Sequence, residues 1–205
     1  MRAGWPGVAT SGLIGSGLIG STLARLAVPF KAYHSLPREP LAGKTVIDAG
    51  NYAAQRDGRV EALDNGSTTT SELLQHHLGE SAHVVRAFNN IHHTHLALLN
   101  RPTGAEDRSA LPIAGDDAEA KRHATELLDT LGHDTDDAGP LAQNRLFAPG
   151  TPAYGAPHTE LPSGSLTSLA AGPASAELLS PTPGPAPAAE IRALPAKASI
   201  ARNRP

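Results

Sequence analysis

The sequence predicts an α/β fold with a mainly parallel sheet and flanking helices, and three observations predict it. Apolar, β-branched runs stand at Thr45–Asn51, His83–Asn89 and Ala110–Gly115. Between them lie stretches whose apolar residues recur at helical spacing. Strands that alternate with helices in this way build a sheet of parallel neighbours joined by crossovers. Third, 40% of the 205 residues are hydrophobic, enough for one core, but there are only three Phe, three Tyr and one Trp. Leu, Val, Ile and Ala must fill that core.

Residues 1–7, MRAGWPG, carry no pattern. The apolar run Val8–Ile14 is expected as a short first strand. Leu18, Ile19, Leu23 and Leu26 recur at about one helical turn, which predicts a helix opening at Gly17 or Leu18 and stopped by Pro29. The proline-rich stretch to Lys44 has no strand pattern, and the polar stretch before Gly66 reads as loop. Thr69 and Glu72 make a capping box that starts a helix over Ser71–Leu78. HTHLALL, from His93 to Leu99, reads as helical, and Arg101–Arg108 as a polar loop. The strongest helix follows Asp116: Ala120, Ala124, Leu127, Leu128 and Leu131 share a face, acids stand at its start, and Gly132 ends it. Beyond Pro162 the chain turns to Ala, Pro, Gly and Ser, a composition with too little apolar surface to offset its ordering entropy. The expected organisation is a disordered leader at 1–7, a folded domain at 8–162 and a disordered tail at 163–205.

The formal net charge of −3 argues against nucleic acid as the main partner. The absence of cysteine excludes disulfides, thiolate metal sites and thiol nucleophiles. No apolar run reaches the length of about 18 residues that a spanning helix needs, and the glycine-broken N-terminus is unlike a signal peptide, so no membrane association and a cytoplasmic location are expected.

Gly15-Ser16-Gly17-Leu18-Ile19-Gly20 is a G-x-G-x-x-G. Between strand and helix, the first glycine permits the tight turn, the second lets backbone approach a pyrophosphate, and the third lets helix and strand pack closely. The helix N-terminus then offers free N–H groups to the phosphates. A glycine-rich turn without a ligand is the other reading of the same residues. The fingerprint also calls for a second strand ending in a ribose reader about 20 positions on. That count lands in Arg38–Lys44, REPLAGK, which is not strand-like.

KAYHSLPREPLAGKTVIDAGNYAAQRDG, STTTSELLQHHL, HVVRAFNNI, RSALPIAGDDAEAK and DTDDAGPLA closely resemble blocks of the coenzyme F420-dependent NADP oxidoreductase family, and GLIGSGLIGSTLARLAV resembles its glycine fingerprint. The resemblance runs from Gly12 to Pro157. It implies a Rossmann-like domain that moves a hydride between NADP(H) and the deazaflavin coenzyme F420, with the protein orienting two rings and no catalytic side chain. By position, Gly15, Ser16, Gly17, Leu18, Ile19 and Gly20 would meet the pyrophosphate, and Asn89 and Asn90 the nicotinamide end. A homodimer fits this resemblance, and an open strand edge favours association as well.

The chain departs from that pattern where ARLAV runs straight into PFKAY. The second strand, which carries the 2′-phosphate reader in the family, is missing there, so the expected fold is a truncated Rossmann-like one. Val8 to Asp48 can still form one βαβ unit with TVID beside the first strand. Asp136 also stands where the family has an apolar residue, which should weaken the last strand. The alternative to an enzyme is a non-catalytic, degenerate nucleotide-binding or interaction module of the same family.

Other clusters read as structural. His76, His77, His92, His93 and His95 lack a carboxylate motif and are expected as solvated surface histidines, with no metal. Asp116 and Asp117 read as helix N-terminal charge, and Asp134, Asp136 and Asp137 as a loop. The hydroxyl run Ser67–Ser71 could hold phosphate, but helix capping accounts for it.

Overall fold

The computed structural model describes residues 23–26, 30–154, 156–158 and 183–194. Five strands form one sheet in the order β1 (Leu23–Leu26), β2 (Thr45–Asp48), β3 (His83–Arg86), β4 (Ala110–Gly115) and β5 (Asp134–Asp137). β1, β2 and β3 are parallel neighbours, as are β4 and β5. β3 and β4 meet antiparallel over the pairs Val85–Gly115 and Arg86–Ala114. The sheet is therefore mostly parallel, as the alternation of elements predicts. The helices are α1 (Ala54–Asp57), α2 (Glu61–Asp64), α3 (Thr70–Leu78), α4 (His93–Leu98), α5 (Ala118–Thr130) and α6, residues 188–194.

Strand alternation divides the core between the two faces of the sheet. Ile47 and Val85 point to one face, where they pack with Leu111, Ile113 and the α5 stripe Ala120, Ala124, Leu127 and Leu128. Val46 and Val84 point to the other, against Phe30, Tyr33, Leu74 and Leu78. Both long helices begin where the sequence places their caps. Thr69 accepts from Glu72 N and Glu72 reaches back to Thr69 N, closing the capping box of α3. The Asp117 carboxylate accepts from Ala120 N at 2.7 Å at the start of α5.

The first expectation to fail concerns Leu23–Leu26. These residues form strand β1, paired in register from Leu23–Thr45 to Leu26–Asp48, and not the end of a helix. The outer edge of β2 would otherwise leave a row of backbone donors and acceptors unpaired, a cost a strand removes at once. A short helix stopped by Pro29 has little intrinsic stability to set against that gain. The strand beside TVID is thus Leu23–Leu26; Val8–Ile14, the strand expected in that place, lies outside the described residues.

The second concerns the tail. Residues 183–194, which composition assigns to disorder, are built into the fold. Ala110 and Ala114 on β4 and the neighbouring Phe147 and Ala153 form an apolar surface, covered by Ala186, Ile191 and Leu194. Ala110 N donates to Ala186 O at 2.8 Å, which fixes the segment to the start of β4. Asp136, the acid in place of an apolar residue, keeps its strand: it is buried and receives Arg192 Nε from α6 at 3.0 Å. Three apolar residues placed on one small surface contribute burial that average composition does not register.

Among the described residues no helix is long and apolar enough to cross a membrane.

Candidate functional site

Open α/β sheets bind ligands beyond the carboxyl ends of their strands. In this chain β2 ends at Asp48 and β3 at Arg86, and the two face each other in register. Arg86 Nη1 donates to Asp48 Oδ2 at 3.1 Å, with both side chains fully buried. Ser71 Oγ donates to the same oxygen at 2.7 Å. Gly50 N, at 2.9 Å, and the Tyr33 hydroxyl donate to Oδ1. Burial, reinforced by the Asp48 charge, pushes the Tyr33 phenol up, so it stays a donor. Arg86 in turn donates to Gly50 O and, through Nη2 at 2.7 Å, to Asn51 Oδ1. Its Nε is buried without a partner.

This network underlies a cleft of about 340 Å³. Its lining includes Arg86, Asn51, Tyr52, Asn65, Thr68 to Thr70, Asn144 and Arg145. Each wall is held from behind. The Tyr52 hydroxyl takes a bond from Val60 N at 3.0 Å and donates to Asp64 at 2.9 Å, which ties the loop to α2. Asn144 Nδ2 donates to Ser71 Oγ at 2.8 Å, tying residues 141–147 to α3. The cleft's described lining holds hydroxyls, amides and two guanidinium groups, and no carboxylate, histidine or lysine. Such a surface can bind and orient a polar ligand; it offers no general acid–base pair.

Asn89 and Asn90 follow β3, and Phe88 between them and the strand has φ of +62°. A bulky residue in the left-handed region is strained, which marks a turn held by its surroundings. Both asparagines are buried. Asn89 Nδ2 donates to Phe147 O at 2.8 Å and Asn90 Nδ2 to Ala153 O at 3.2 Å, so their amides hold segment 147–153 against the sheet. Their Oδ1 atoms are buried without partners. Neither lines the cleft. Asn51, one loop away, joins the two regions by donating to Asn89 O at 3.1 Å. Gly15, Ser16, Gly17, Leu18, Ile19 and Gly20 lie outside the described residues.

Of His76, His77, His92, His93 and His95, all expected as solvated, His95 is not. His76 is exposed, but His95 is buried, as are His133 and His158. All three leave Nδ1 buried and unpartnered. Burial first, then the nearby His133 and His95, pull His158 down to about 3, and burial also lowers His133. The His133 and His158 rings are therefore neutral parts of the core. No group of three or more His, Cys, Asp or Glu among the described residues is placed to hold a metal.

Sequence reasoning missed the Asp48–Arg86 pair, Asn51, Asn144 and Arg145. A signal for the pair existed: an acid and an arginine each interrupt an apolar strand near its end, TVID and HVVR. Nothing in the sequence near Asn144 or Arg145 separates them from ordinary surface residues.

No protein-family model matches the chain, and no curated protein does. Solved structures do. A hypothetical protein from Sinorhizobium meliloti is 25% identical, with a TM-score of 0.48 over 62% of this chain and 60% of that one. A proposed F420-dependent NADP reductase from Arthrobacter sp. FB24 is 26% identical, with a TM-score of 0.50 over 60% of this chain and 57% of that one. The chain thus spans less than two thirds of the length of either. At the level of fold, this protein is similar to that proposed F420-dependent NADP reductase.

Proposed function

We propose that this chain is an oxidoreductase that transfers a hydride between NADP(H) and the deazaflavin coenzyme F420. The observation that carries the reading is the fold-level similarity to the Arthrobacter protein, which extends over 60% of the chain. The sequence resemblance from Gly12 to Pro157 and the fingerprint Gly15–Gly20 support it. Asn89 and Asn90 are positioning residues in this reading, since their amides hold the segment behind the strand ends. The two cosubstrates would supply the hydride chemistry when bound, and the protein's share would be to orient their rings.

A second reading, a non-catalytic relative that binds nucleotide weakly or serves as an interaction module, is favoured by one observation. Leu23–Leu26 is a strand three residues after Gly20. A dinucleotide fingerprint needs a helix in that place to direct its N-terminus at the phosphates.

Titration of the full chain with NADPH and NADH, followed by deazaflavin absorbance with NADPH present, separates the two. The oxidoreductase reading expects saturable nucleotide binding and NADPH-dependent bleaching of the deazaflavin. With the 2′-phosphate reader strand missing, it also expects little preference for NADPH over NADH. Binding without transfer supports the second reading, and absence of saturable binding rejects nucleotide recognition altogether.

A further inference from the structure

We propose that the cleft beside β2 and β3 is an anion subsite that takes a phosphate group of a larger ligand. Arg145 stands exposed on its lining and forms no ion pair among the described residues. Arg86 lies deeper, fully buried, with Nε unpartnered although both its other nitrogens are engaged. Between them the wall offers amide N–H groups suited to phosphate oxygens from Asn65 and from Asn144, which keeps one after its bond to Ser71, whereas Asn51 Nδ2 is given to Asn89 O and Tyr154 and the Thr68 hydroxyl to Glu72. Asp64 and Glu72 hydrogen-bond to wall residues Tyr52 and Thr68, but neither acid lines the cleft. Asp48 balances part of the Arg86 charge. The uncompensated cation is Arg145, and it faces no carboxylate of the described lining.

The start of α3 adds little field of its own, because the Glu72 carboxylate closes the capping box there. The attraction is therefore that of guanidinium groups, which match phosphate with paired N–H donors. Size limits what enters. About 340 Å³ is near the lower end of small-molecule pockets, so the cleft takes one charged end of a cofactor and not a whole dinucleotide. The phosphate has two sources, the nicotinamide nucleotide and the deazaflavin side chain. Assigning it to either rests on the oxidoreductase reading, whereas the anion subsite does not.

The test uses the full chain, with pyrophosphate as the first probe, titrated by calorimetry at low salt. Wild type is expected to bind saturably, more weakly as salt rises. Arg145→Glu reverses the free charge. Asn65→Asp keeps the acceptor that Ser67 N uses at 2.9 Å while adding a negative charge to the wall. Each variant should lose about tenfold in affinity with an unchanged circular-dichroism melt. No saturable binding by wild type, or equal binding by both variants, overturns the subsite. NADPH and F420 are then titrated separately. The one that weakens in both variants is the source of the phosphate. If both bind wild type and neither weakens, the assignment to a cosubstrate is overturned. If neither binds wild type while pyrophosphate does, the oxidoreductase reading falls and the anion subsite stands.

Discussion

Asp48 and Arg86 occupy the last paired register of β2 and β3 and form an ion pair of 3.1 Å with side-chain exposures of 0% and 1%. A charge pair this deep is held by its other bonds as much as by its own attraction. Ser71, Gly50 and Tyr33 satisfy the carboxylate, and Gly50 O and Asn51 accept from Nη1 and Nη2 of the guanidinium, whose Nε stays unpartnered. The same residues fix the loop that lines the cleft, so stability and site geometry are coupled at this point.

The pair makes an uneven mutational series. Asp48→Asn leaves a guanidinium buried without its counter-charge, and Arg86→Met leaves a carboxylate so. Each should cost about 3–5 kcal/mol in urea unfolding. The double variant removes both charges and should cost clearly less than the sum of the two. Additive losses would mean that the two side chains act independently.

The tail segment makes a second contrast. Ile191 is 2% exposed and fills the surface over Ala110 and Phe147, so Ile191→Ala should cost about 2–5 kcal/mol. Arg192, one residue on, is 72% exposed although it reaches Asp136, and Arg192→Ala should cost no more than about 1 kcal/mol. Denaturation midpoints of the two variants, measured side by side, check that burial and not the ion pair holds α6. Equal losses would show that Asp136 is the real anchor.

These residues also show where the sequence was readable. α3 and α5 announced themselves because capping side chains and helical spacing agree, and β2 and β3 because apolar β-branched runs end in turn residues. β1 did not, since Leu23 and Leu26 fit a helical period and the unpaired edge of β2 decides the outcome. The placement of α6 depends on a surface left by Ala110, Ala114 and Phe147, residues distant in sequence that only the fold assembles. The burial of His95 has the same origin, and periodicity around HHTH carries no trace of it. Asp48 and Arg86 were visible as charges in apolar strands, but their pairing required the strand order.

Two glycines with positive φ should respond differently to alanine. Gly79 has φ of +73°, and a Cβ there meets nothing within 4 Å. Gly79→Ala should cost about 1–3 kcal/mol, the backbone penalty alone, because φ of +73° with ψ of −164° is a region essentially open only to glycine. Gly132 has φ of +85°, and a Cβ there would stand 2.8 Å from Asn100 Cβ and 2.9 Å from Arg101 N. The backbone at Arg101 is tied to Gly132 O at 3.0 Å, so it cannot give way cheaply. Gly132→Ala should add about 1–3 kcal/mol to that penalty. Thermal melts of the two variants check the difference, and equal losses would mean that the 100–101 turn relaxes.

The buried histidines give stability an acid dependence. His158 has its pKa drawn from 6.5 down to about 3 in the folded protein, chiefly by burial. Between those values the unfolded chain binds a proton that the folded one refuses. Stability is therefore complete above pH 6.5 and falls as pH drops towards 3, by at most about 1.4 kcal/mol per pH unit from this group. His133, lowered in the same direction, adds to the slope. Carboxylates titrate in the lower part of the same range, so the comparison is with His158→Gln, which can still accept from Asn90 Nδ2, now 3.4 Å from Nε2. Urea unfolding of both proteins at intervals from pH 7 to about pH 4 should show a shallower fall for the variant. Parallel curves would show that His158 is protonated without loss in the folded chain, and hence that water reaches it.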